Sequence, residues 1–298
     1  MGIVVVGSLA FDSVKTPSGQ AERALGGSAN YFSMAAHFFA SVKIVGVVGH
    51  DFPQEHMGYL SARDIDILGI TREKGKTFHW RGEYNENLNQ AITIATELNV
   101  FADFSPKLPQ HYRKTDLLFL ANIDPELQEQ VLRQCDAKLI ALDTMNYWIS
   151  SKPEALKRVI SKVHILFLND AELRQLTGEH NVVAAAKKAL TMGPHTVVVK
   201  RGEYGAALFH GEQYFFTPAF PMEKVVDPTG AGDSFAGGFL GWINKYGSSW
   251  KQLKHAMIAG TALSSFVIEE FSFQHIGKLP YELIEQRMQK MQSYLHLN

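Results

Sequence analysis

Short apolar, β-branched runs recur along the first two thirds of the chain. They are "IVVV" (3–6), "VKIVGVV" (42–48), "LLFLANI" (117–123), "KLIALD" (138–143), "HILFLN" (164–169) and "TVVVK" (196–200). Runs that are apolar almost throughout are typical of strands buried on both faces, as in a parallel sheet covered by helices. The pattern therefore predicts six strands of one buried sheet.

Helical patterns fill the spaces between these runs. They begin near residues 28, 125, 153, 171 and 181, and the chain from Ser234 onward is mostly helical in pattern. Strands that alternate with helices predict an α/β fold, a three-layer α/β/α sandwich with a mostly parallel central sheet. Right-handed crossovers then place the loops at the carboxyl ends of the strands on one rim, where ligands usually bind.

One region, residues 76–101, breaks this alternation. It carries aromatic and β-branched residues in polar alternation around a turn-like "NENLN" (85–89), which predicts two exposed antiparallel strands. The polar stretch that begins at Asp12 is a candidate to join them. We expect one domain over 1–298, with a small β-strand lid formed by about 12–25 and 76–101.

Composition narrows the class of protein. The chain has 298 residues, 46% hydrophobic and 20% charged, which is ordinary for a soluble protein with a sizeable core. Its 29 Lys and Arg nearly cancel its 30 Asp and Glu, so no overall field attracts nucleic acid or an anionic membrane. Cys135 is the single cysteine, which excludes an intrachain disulfide and a cysteine-rich zinc site. Without a basic, apolar leader or about 18 continuous apolar residues, we expect a cytoplasmic protein.

The segment "TGAGDSFAGG" (229–238) is a candidate anion site. Its residues Gly230, Ala231 and Gly232 are small enough for a phosphate to approach the backbone where a helix begins, and a helix N-terminus favours an anion. Asp233, expected to be ionised near neutral pH, would lie beside that phosphate and could accept the proton of an attacking hydroxyl. An aspartate at a helix start followed by small residues for close packing explains the same letters, and this alternative stays open.

The sequence lacks the other common phosphate-binding and catalytic motifs. A Walker-type phosphate loop needs four residues between its first glycine and Gly-Lys-Ser/Thr. The nearest match in this sequence has five, between Gly69 and Gly75-Lys76-Thr77. Counted from Gly230, the last glycine of a dinucleotide fingerprint is replaced by Phe235. Neither H-E-x-x-H nor G-x-S-x-G occurs, so zinc peptidases and serine hydrolases lose their usual support.

Two long segments resemble the signatures of one family. "DPTGAGDSFAGGF" (227–239) resembles the C-terminal signature of the ribokinase-like (PfkB-type) carbohydrate kinases, and "GGSANYFSMAAHFFASVKIVGVVGHD" (26–51) resembles their N-terminal signature. Both occur in the family's order and spacing, and the resemblance extends over essentially the whole chain. It implies a kinase that uses ATP and Mg²⁺ to phosphorylate a hydroxymethyl group of a sugar or nucleoside, with the lid closing over the acceptor.

The resemblance also implies roles for individual residues on the acceptor side. Asp233 would be the catalytic base, and the preceding turn, Gly230, Ala231 and Gly232, would be the anion hole. The acceptor hydroxyls would be bound by Asp12, Gly26, Gly27 and Asn30. A carboxylate such as Asp12 can accept two hydrogen bonds from a diol. Asp12 as a turn-capping aspartate and Asn30 on a solvated helix face remain the plainer alternatives.

On the nucleotide side, Asn169 and Glu172 match the family's Asn-x-x-Glu motif, which organises Mg²⁺ and phosphates through water. The same pair could cap a helix. Lys200, Gly202 and Gly205 resemble the strand and glycine turn beneath the nucleotide, although Lys200 could simply end a strand.

Asp227 and Thr229 match a loop that holds a monovalent cation such as K⁺ in some members. The segment expected to complete that site and the adenine pocket (264–274) departs from the family pattern at "EEFSFQ".

The acceptor itself is left open. The predicted lid contains Phe78, His79, Trp80, Arg81, Glu83 and Tyr84. Aromatic side chains can cover a sugar face or a nucleobase, or pack on the body or on the lid of a second copy. A free-sugar kinase, a nucleoside kinase of the adenosine type, a catalytically silent sensor and a nucleotide-dependent oxidoreductase are the functional hypotheses. The family also suggests a homodimer through the lid.

Overall fold

The computed structural model describes residues 2–273 and 275–295. Within this part of the chain the strands are β1 (Gly2–Val6), β2 (Ala10–Thr16), β3 (Gly19–Gly26), β4 (Ser41–Gly49), β5 (Ile65–Glu73), β6 (Phe78–Glu83), β7 (Ile92–Glu97), β8 (Lys114–Leu120), β9 (Asp136–Asp143), β10 (Ile165–Asn169), β11 (Thr196–Lys200), β12 (Ala206–His210) and β13 (Gln213–Thr217). The six predicted strands are all present, as β1, β4, β8, β9, β10 and β11.

The large sheet has nine strands in the order β13-β12-β11-β10-β9-β8-β1-β4-β5. Every pair from β11 to β5 is parallel, and β12 and β13 add an antiparallel hairpin at one edge. The prediction of a mostly parallel central sheet is therefore confirmed. The carboxyl ends of its parallel strands share one rim.

Helices cover both faces of this sheet. They are α1 (Ser28–Ala36), α2 (Gln54–Ser61), α3 (Pro125–Leu132), α4 (Asn146–Ser151), α5 (Pro153–Ile160), α6 (Asp170–Thr177), α7 (Val182–Leu190), α8 (Ala231–Tyr246), α9 (Trp250–Val267) and α10 (Tyr281–Leu295). Alternate residues of β1 enter two different cores: Ile3 and Val5 pack with α1, α8 and α9, whereas Val4 and Val6 pack with α3, α5 and α7. The predicted three-layer sandwich is confirmed.

The glycines of α8 let this helix pack almost backbone to backbone with its neighbours. A Cβ atom on Gly237 would lie 2.4 Å from the carbonyl oxygen of Phe32 in α1, and one on Gly238 would lie 2.8 Å from the carbonyl oxygen of Ala259 in α9. Such contacts allow no side chain, so the register of α8 between α1 and α9 is tightly set. This packing holds the start of α8, and with it Asp233, in place.

A second, four-stranded sheet, called the small sheet below, has the order β3-β2-β6-β7. The β2–β6 pair is parallel, and the β2–β3 and β6–β7 pairs are antiparallel. Its strands overlap the two segments predicted for the lid, and the predicted antiparallel pair within 76–101 is confirmed. The end strand β7 is largely exposed, with Ile94 at 62%.

None of the helices in the described ranges combines the length and apolar character that a membrane-spanning helix needs.

Candidate active site

The predicted site residues meet at the rim where β9, β10 and β11 end. Asp143, Asn169 and Lys200 are the last residues of these three parallel strands, and Asn169 lies beside Lys200 in register. The start of α8 lies near both this rim and strand β2 of the small sheet, since the negative charge of Asp233 raises the pKa of Lys200 and of Asp12. Residues distant in sequence are thus gathered at one rim, among them Asp143, which the sequence reasoning did not single out.

The turn before α8 is shaped by Gly230. This residue has φ 75° and ψ 1°, in the left-handed region, and a Cβ atom on it would lie 2.3 Å from the ring of Tyr31. Glycine is therefore required at this position on two counts. The amide of Ala231 donates to the carbonyl of Pro228 at 3.2 Å, whereas Gly232 and Asp233 occupy the first turn, whose amides have no partner within the helix. An anion cradle at Gly232 and Asp233 fits this geometry.

Asp233 lies in the first turn of α8 and is partly buried. Burial raises the pKa of its carboxyl to about 7; the negative charge of Asp143 adds to this effect, and the positive charge of Lys200 opposes it. A group with this pKa is about half ionised at neutral pH, whereas the sequence reasoning expected full ionisation. A carboxyl of this kind is well matched to proton transfer near neutral pH.

Lys200 links the two sides of the site. Its Nζ bonds Asp143 Oδ2 at 2.8 Å, and a Cβ atom on Gly232 would lie 3.1 Å from the same Nζ. Burial lowers the pKa of Lys200, but the negative charges of Asp143 and Glu172 outweigh this, and the net shift is upward. Lys200 is therefore a charged ammonium held against the first turn of α8, and it does more than end a strand.

Asn169 and Glu172 form a capping box at the start of α6. Asn169 Oδ1 accepts from the amide of Glu172 at 2.8 Å, and Glu172 Oε2 accepts from the amide of Asn169 at 2.7 Å. The capping alternative is thus correct for this pair. Burial raises the pKa of Glu172 to about 7, against the lowering effect of Lys200.

Magnesium is usually held by one or two carboxylates together with substrate phosphates and water. The second carboxylate oxygen of Glu172, with Asp143 on the same rim, supplies oxygen donors of this kind, so the residues present fit a MgATP complex. Among the described residues, no group of three or more His, Cys, Asp or Glu side chains is arranged to hold a metal ion.

On the acceptor side, Asp12 is nearly buried against the Gly26-Gly27 turn. A Cβ atom on Gly26 would lie 1.8 Å from Asp12 Oδ2, and Gly27 has φ 96° with no room for a side chain against Ser8. Burial raises the pKa of Asp12 to about 8, with further contributions from the charges of Asp227 and Asp233. The two glycines therefore let a carboxyl lie where it can bind hydroxyls. With this pKa Asp12 is mostly protonated at neutral pH, so it can donate one hydrogen bond to a diol and accept one, whereas the sequence reasoning expected a carboxylate that accepts two.

Asn30 is only 1% exposed and does not lie on a solvated helix face. Its Nδ2 donates to the carbonyl of Gly26 at 2.7 Å, while its Oδ1 has no hydrogen-bond partner within the described chain. A buried acceptor without a partner is costly, and a hydroxyl of an acceptor molecule could satisfy it.

The loop before the anion turn holds Asp227 and Thr229. Asp227 Oδ1 accepts from the amide of Thr229 at 2.9 Å, and burial raises the pKa of Asp227. The amide of Val226 donates to the carbonyl of Ile268 at 2.8 Å, so the segment after α9 does meet this loop. K⁺ binding here stays a prediction, as does the adenine pocket near 259–274, whose last residue lies outside the described residues.

The small sheet contacts this body through side chains at its turns. Thr16 Oγ1 donates to the carbonyl of Val226 at 2.7 Å, and Ser18 Oγ donates to the carbonyl of Val225 at 2.9 Å. Thr229 Oγ1 and the hydroxyl of Tyr84 are 3.3 Å apart. The small sheet therefore rests on the loop that leads into the anion turn.

The turn between β6 and β7 also reaches the turn that follows β11. Asn89 Nδ2 donates to Glu203 Oε1 at 3.1 Å, and Asn89 Oδ1 accepts from the amide of Glu203 at 3.3 Å. Gly202, at φ 54°, leaves room for this contact, and Gly205, at φ 85°, packs against the carbonyl of Thr217. These two glycines thus shape the turn between β11 and β12.

Sequence reasoning missed Asp143 and Tyr31. Asp143, whose side chain is 4% exposed, anchors Lys200, and the ring of Tyr31 lies under Gly230. An aspartate as the last letter of a predicted strand was the available signal for Asp143. Nothing in the local sequence predicts the contact of Tyr31 with Gly230, because Tyr31 is one of several apolar residues in the helical pattern of α1.

Residues 2–278 match the family model described as pfkB family carbohydrate kinase. A cytidine kinase of Thermococcus kodakarensis is 32% identical over 247 residues, which cover 80% of this chain and 87% of that relative.

Two solved structures share the fold. The nucleoside kinase of Methanocaldococcus jannaschii, described as an archaeal member of the ribokinase family, superposes with a TM-score of 0.76 at 21% identity, over 97% of this chain and 99% of that one. A candidate ribokinase II of E. coli, solved with ATP and Mg²⁺, superposes with a TM-score of 0.79 at 18% identity, over the same shares. The predicted fold class is confirmed.

Proposed function

Because the chain belongs to the pfkB family of carbohydrate kinases and is thus a sugar or nucleoside kinase, we propose that it transfers the γ-phosphoryl group of ATP to a primary hydroxyl, with Asp233 as general base. One observation carries the proposal. Asp233, in the first turn of α8, is close enough to interact electrostatically both with Lys200, suited to phosphates, and with Asp12, suited to hydroxyls.

The phosphoryl donor is bound by positive groups. The Lys200 ammonium and the free amides at the start of α8 point to where negative charge accumulates on the transferred group, and such preorganised donors stabilise that charge. Mg²⁺, when bound with ATP, neutralises phosphate charge near Glu172. Asp143 keeps Lys200 in place and charged.

The acceptor is held by Asp12, Gly26, Gly27 and Asn30, which present its primary hydroxyl to Asp233. Asp233 takes the hydroxyl proton as the oxygen attacks phosphorus. A base with a pKa of about 7 is half available at neutral pH, and the positive charge of Lys200 favours its ionised form. The small sheet covers the reactants and keeps bulk water from competing as the acceptor.

The oxidoreductase hypothesis is excluded by the family assignment. A silent sensor is disfavoured by the glycine turn and Asp233, since a protein that only binds ligands has no use for a base with a pKa near 7.

The test replaces Asp233 by asparagine, which keeps the side-chain shape and removes the base. We expect Asp233→Asn to lower turnover at least about 100-fold and to leave ATP affinity within a few fold, as for loss of a general base. ADP release is followed with MgATP and a panel of sugars and nucleosides. Glu154→Gln, an exposed carboxylate in the first turn of α5 that pairs with Lys157 on the same helix, is the matched control. Wild-type turnover in Asp233→Asn would remove Asp233 from the mechanism.

We also propose that the small sheet pairs with a second copy of the chain. Its end strand β7 exposes Ile92 and Ile94 at 42% and 62%, and an exposed apolar edge strand favours pairing. Light scattering should show a dimer that Ile94→Lys weakens; a monomer at all concentrations would contradict this.

A further inference from the structure

Trp80 lies on the face of the small sheet that carries Asp12. The two residues are paired in register across the parallel β2–β6 ladder. Side chains of such a pair point to the same face of a sheet, as does every second residue along one strand. Tyr84, four residues after Trp80, reaches Thr229 with its hydroxyl. The row formed by Trp80 and Tyr84 thus faces the acceptor side of the rim.

The indole of Trp80 is held flat. A Cβ atom on Gly82 would lie 2.2 and 2.3 Å from two atoms of its six-membered ring, so the ring lies across the bare backbone of Gly82. Its Nε1 donates to Thr93 Oγ1 at 3.2 Å. One face of the ring is thereby supported and its polar edge is satisfied. Trp80 is a fixed, partly exposed aromatic surface.

The other tryptophans are packed differently. The chain has four, and each of the other three contacts a neighbouring ring: Trp148 meets Tyr147, Trp242 meets Tyr246, and Trp250 meets His210. These ring contacts indicate that Trp148, Trp242 and Trp250 have a packing role. The support for Trp80 comes instead from a glycine and a threonine, which leave an aromatic face for another planar group.

A nucleoside combines the two features that this face can bind. Its ribose has a diol for the buried carboxyl of Asp12, and its base has a planar face for an indole. A free sugar has the diol and no planar face. We propose that Trp80 is the stacking surface for the base of a nucleoside acceptor, so that it determines specificity for nucleosides over free sugars. This inference rests on the proposed kinase function.

Kinetics with paired acceptors test it. Stacking of a base on an aromatic side chain predicts that Trp80→Ala raises KM for the nucleosides that the wild type phosphorylates (tested among cytidine, uridine, adenosine and guanosine) by roughly 10-fold or more. KM for free ribose should change less than about 2-fold. Trp80→Phe should restore most of the loss. Gly82→Ala, which displaces the ring without removing it, should resemble Trp80→Ala. The control Trp242→Phe should behave as wild type.

Tryptophan fluorescence reports binding without turnover. Nucleoside addition should quench emission in the wild type and in Trp242→Phe, and the quench should disappear in Trp80→Phe. An unchanged quench in Trp80→Phe would overturn the proposal. Equal KM increases for nucleosides and ribose in Trp80→Ala would also overturn it, because Trp80 would then cover the sugar.

The two proposals fail separately. A wild-type enzyme that phosphorylates only free sugars leaves the kinase function intact and refutes the role of Trp80. A wild type that shows the Trp80-dependent quench and transfers phosphate to no acceptor refutes the kinase function alone.

Discussion

Gly230 offers a direct test of how the anion turn is built. Its φ of 75° lies in the left-handed region, and a Cβ atom on it would lie 2.3 Å from the Tyr31 ring. Gly178, at the end of α6, has nearly the same conformation, φ 73° and ψ 10°, and open space where its Cβ would be. Gly178→Ala therefore reports the backbone cost alone, and Gly230→Ala reports this cost together with the clash.

The expected magnitudes differ accordingly. A non-glycine residue in the left-handed region costs about 1–2 kcal/mol, so Gly178→Ala should lower the free energy of unfolding by that amount. Forcing a methyl group into packed surroundings adds about 1–3 kcal/mol, so Gly230→Ala should cost about 2–5 kcal/mol. At about 2 °C per kcal/mol for a chain of this size, the melting temperature should fall by about 2–4 °C and about 4–10 °C, respectively.

Urea unfolding and calorimetry measure both variants, and the kinase assay is run beside them. Gly230→Ala should lose at least about tenfold in turnover, because a displaced cradle misaligns the phosphoryl group, while Gly178→Ala should keep its activity. Adding Tyr31→Leu to Gly230→Ala should recover part of the stability. Equal losses of stability in Gly230→Ala and Gly178→Ala would show that the Tyr31 ring does not confine the turn.

Three further predictions concern charged groups. Since Asp233 has a pKa of about 7 and acts unprotonated, kcat/KM should fall about tenfold per pH unit as the pH is lowered below 7; a flat profile below pH 7 contradicts this. The pKa of Asp12 is raised from 3.8 to about 8, so the native state binds a proton that the unfolded state releases. The free energy of unfolding should therefore fall as pH rises from about 4 to about 8, by up to about 1.4 kcal/mol per pH unit. Asp12→Asn should be more stable than wild type at the upper end of this range. If urea unfolding gives a stability difference between Asp12→Asn and wild type that does not change with pH, this prediction is wrong. Lys200→Met leaves the Asp143 carboxylate buried without its cation and should cost about 3–5 kcal/mol, part of which Lys200→Met/Asp143→Asn recovers; a double variant as unstable as the single one contradicts the pairing.

The buried strands were predictable because they are apolar on both faces. The sequence analysis did not predict β5. This strand lies at one end of the large sheet, and most of its residues are partly or fully exposed. The β12–β13 hairpin was also missed: its turn at Gly211 is short, and the outer strand β13 exposes Tyr214 and Phe216. A strand that is buried on one face only has alternating apolar and polar residues, so it lacks the continuous apolar run from which the other strands were predicted.

Within the site, the signature residues were predictable and their electrostatics were not. Asp233 can be read from its motif, but its pKa depends on burial and on Asp143, which lies 90 positions earlier in the chain. The Lys200–Asp143 bond joins residues 57 positions apart. Such pairs arise from strand order, which local patterns do not contain.

The hydrogen bonds between the turns of the small sheet and the main body affect how easily reactants reach the site. Five exposed or partly buried hydrogen bonds join its turns to the loops around residues 225–229 and 203, and such bonds contribute about 0.5–1 kcal/mol each. Releasing them together costs about 2.5–5 kcal/mol, so an open form would make up between about 1% and about 0.02% of the molecules. Reactants would then enter through a rare conformer, and their apparent affinities would be weakened by its scarcity.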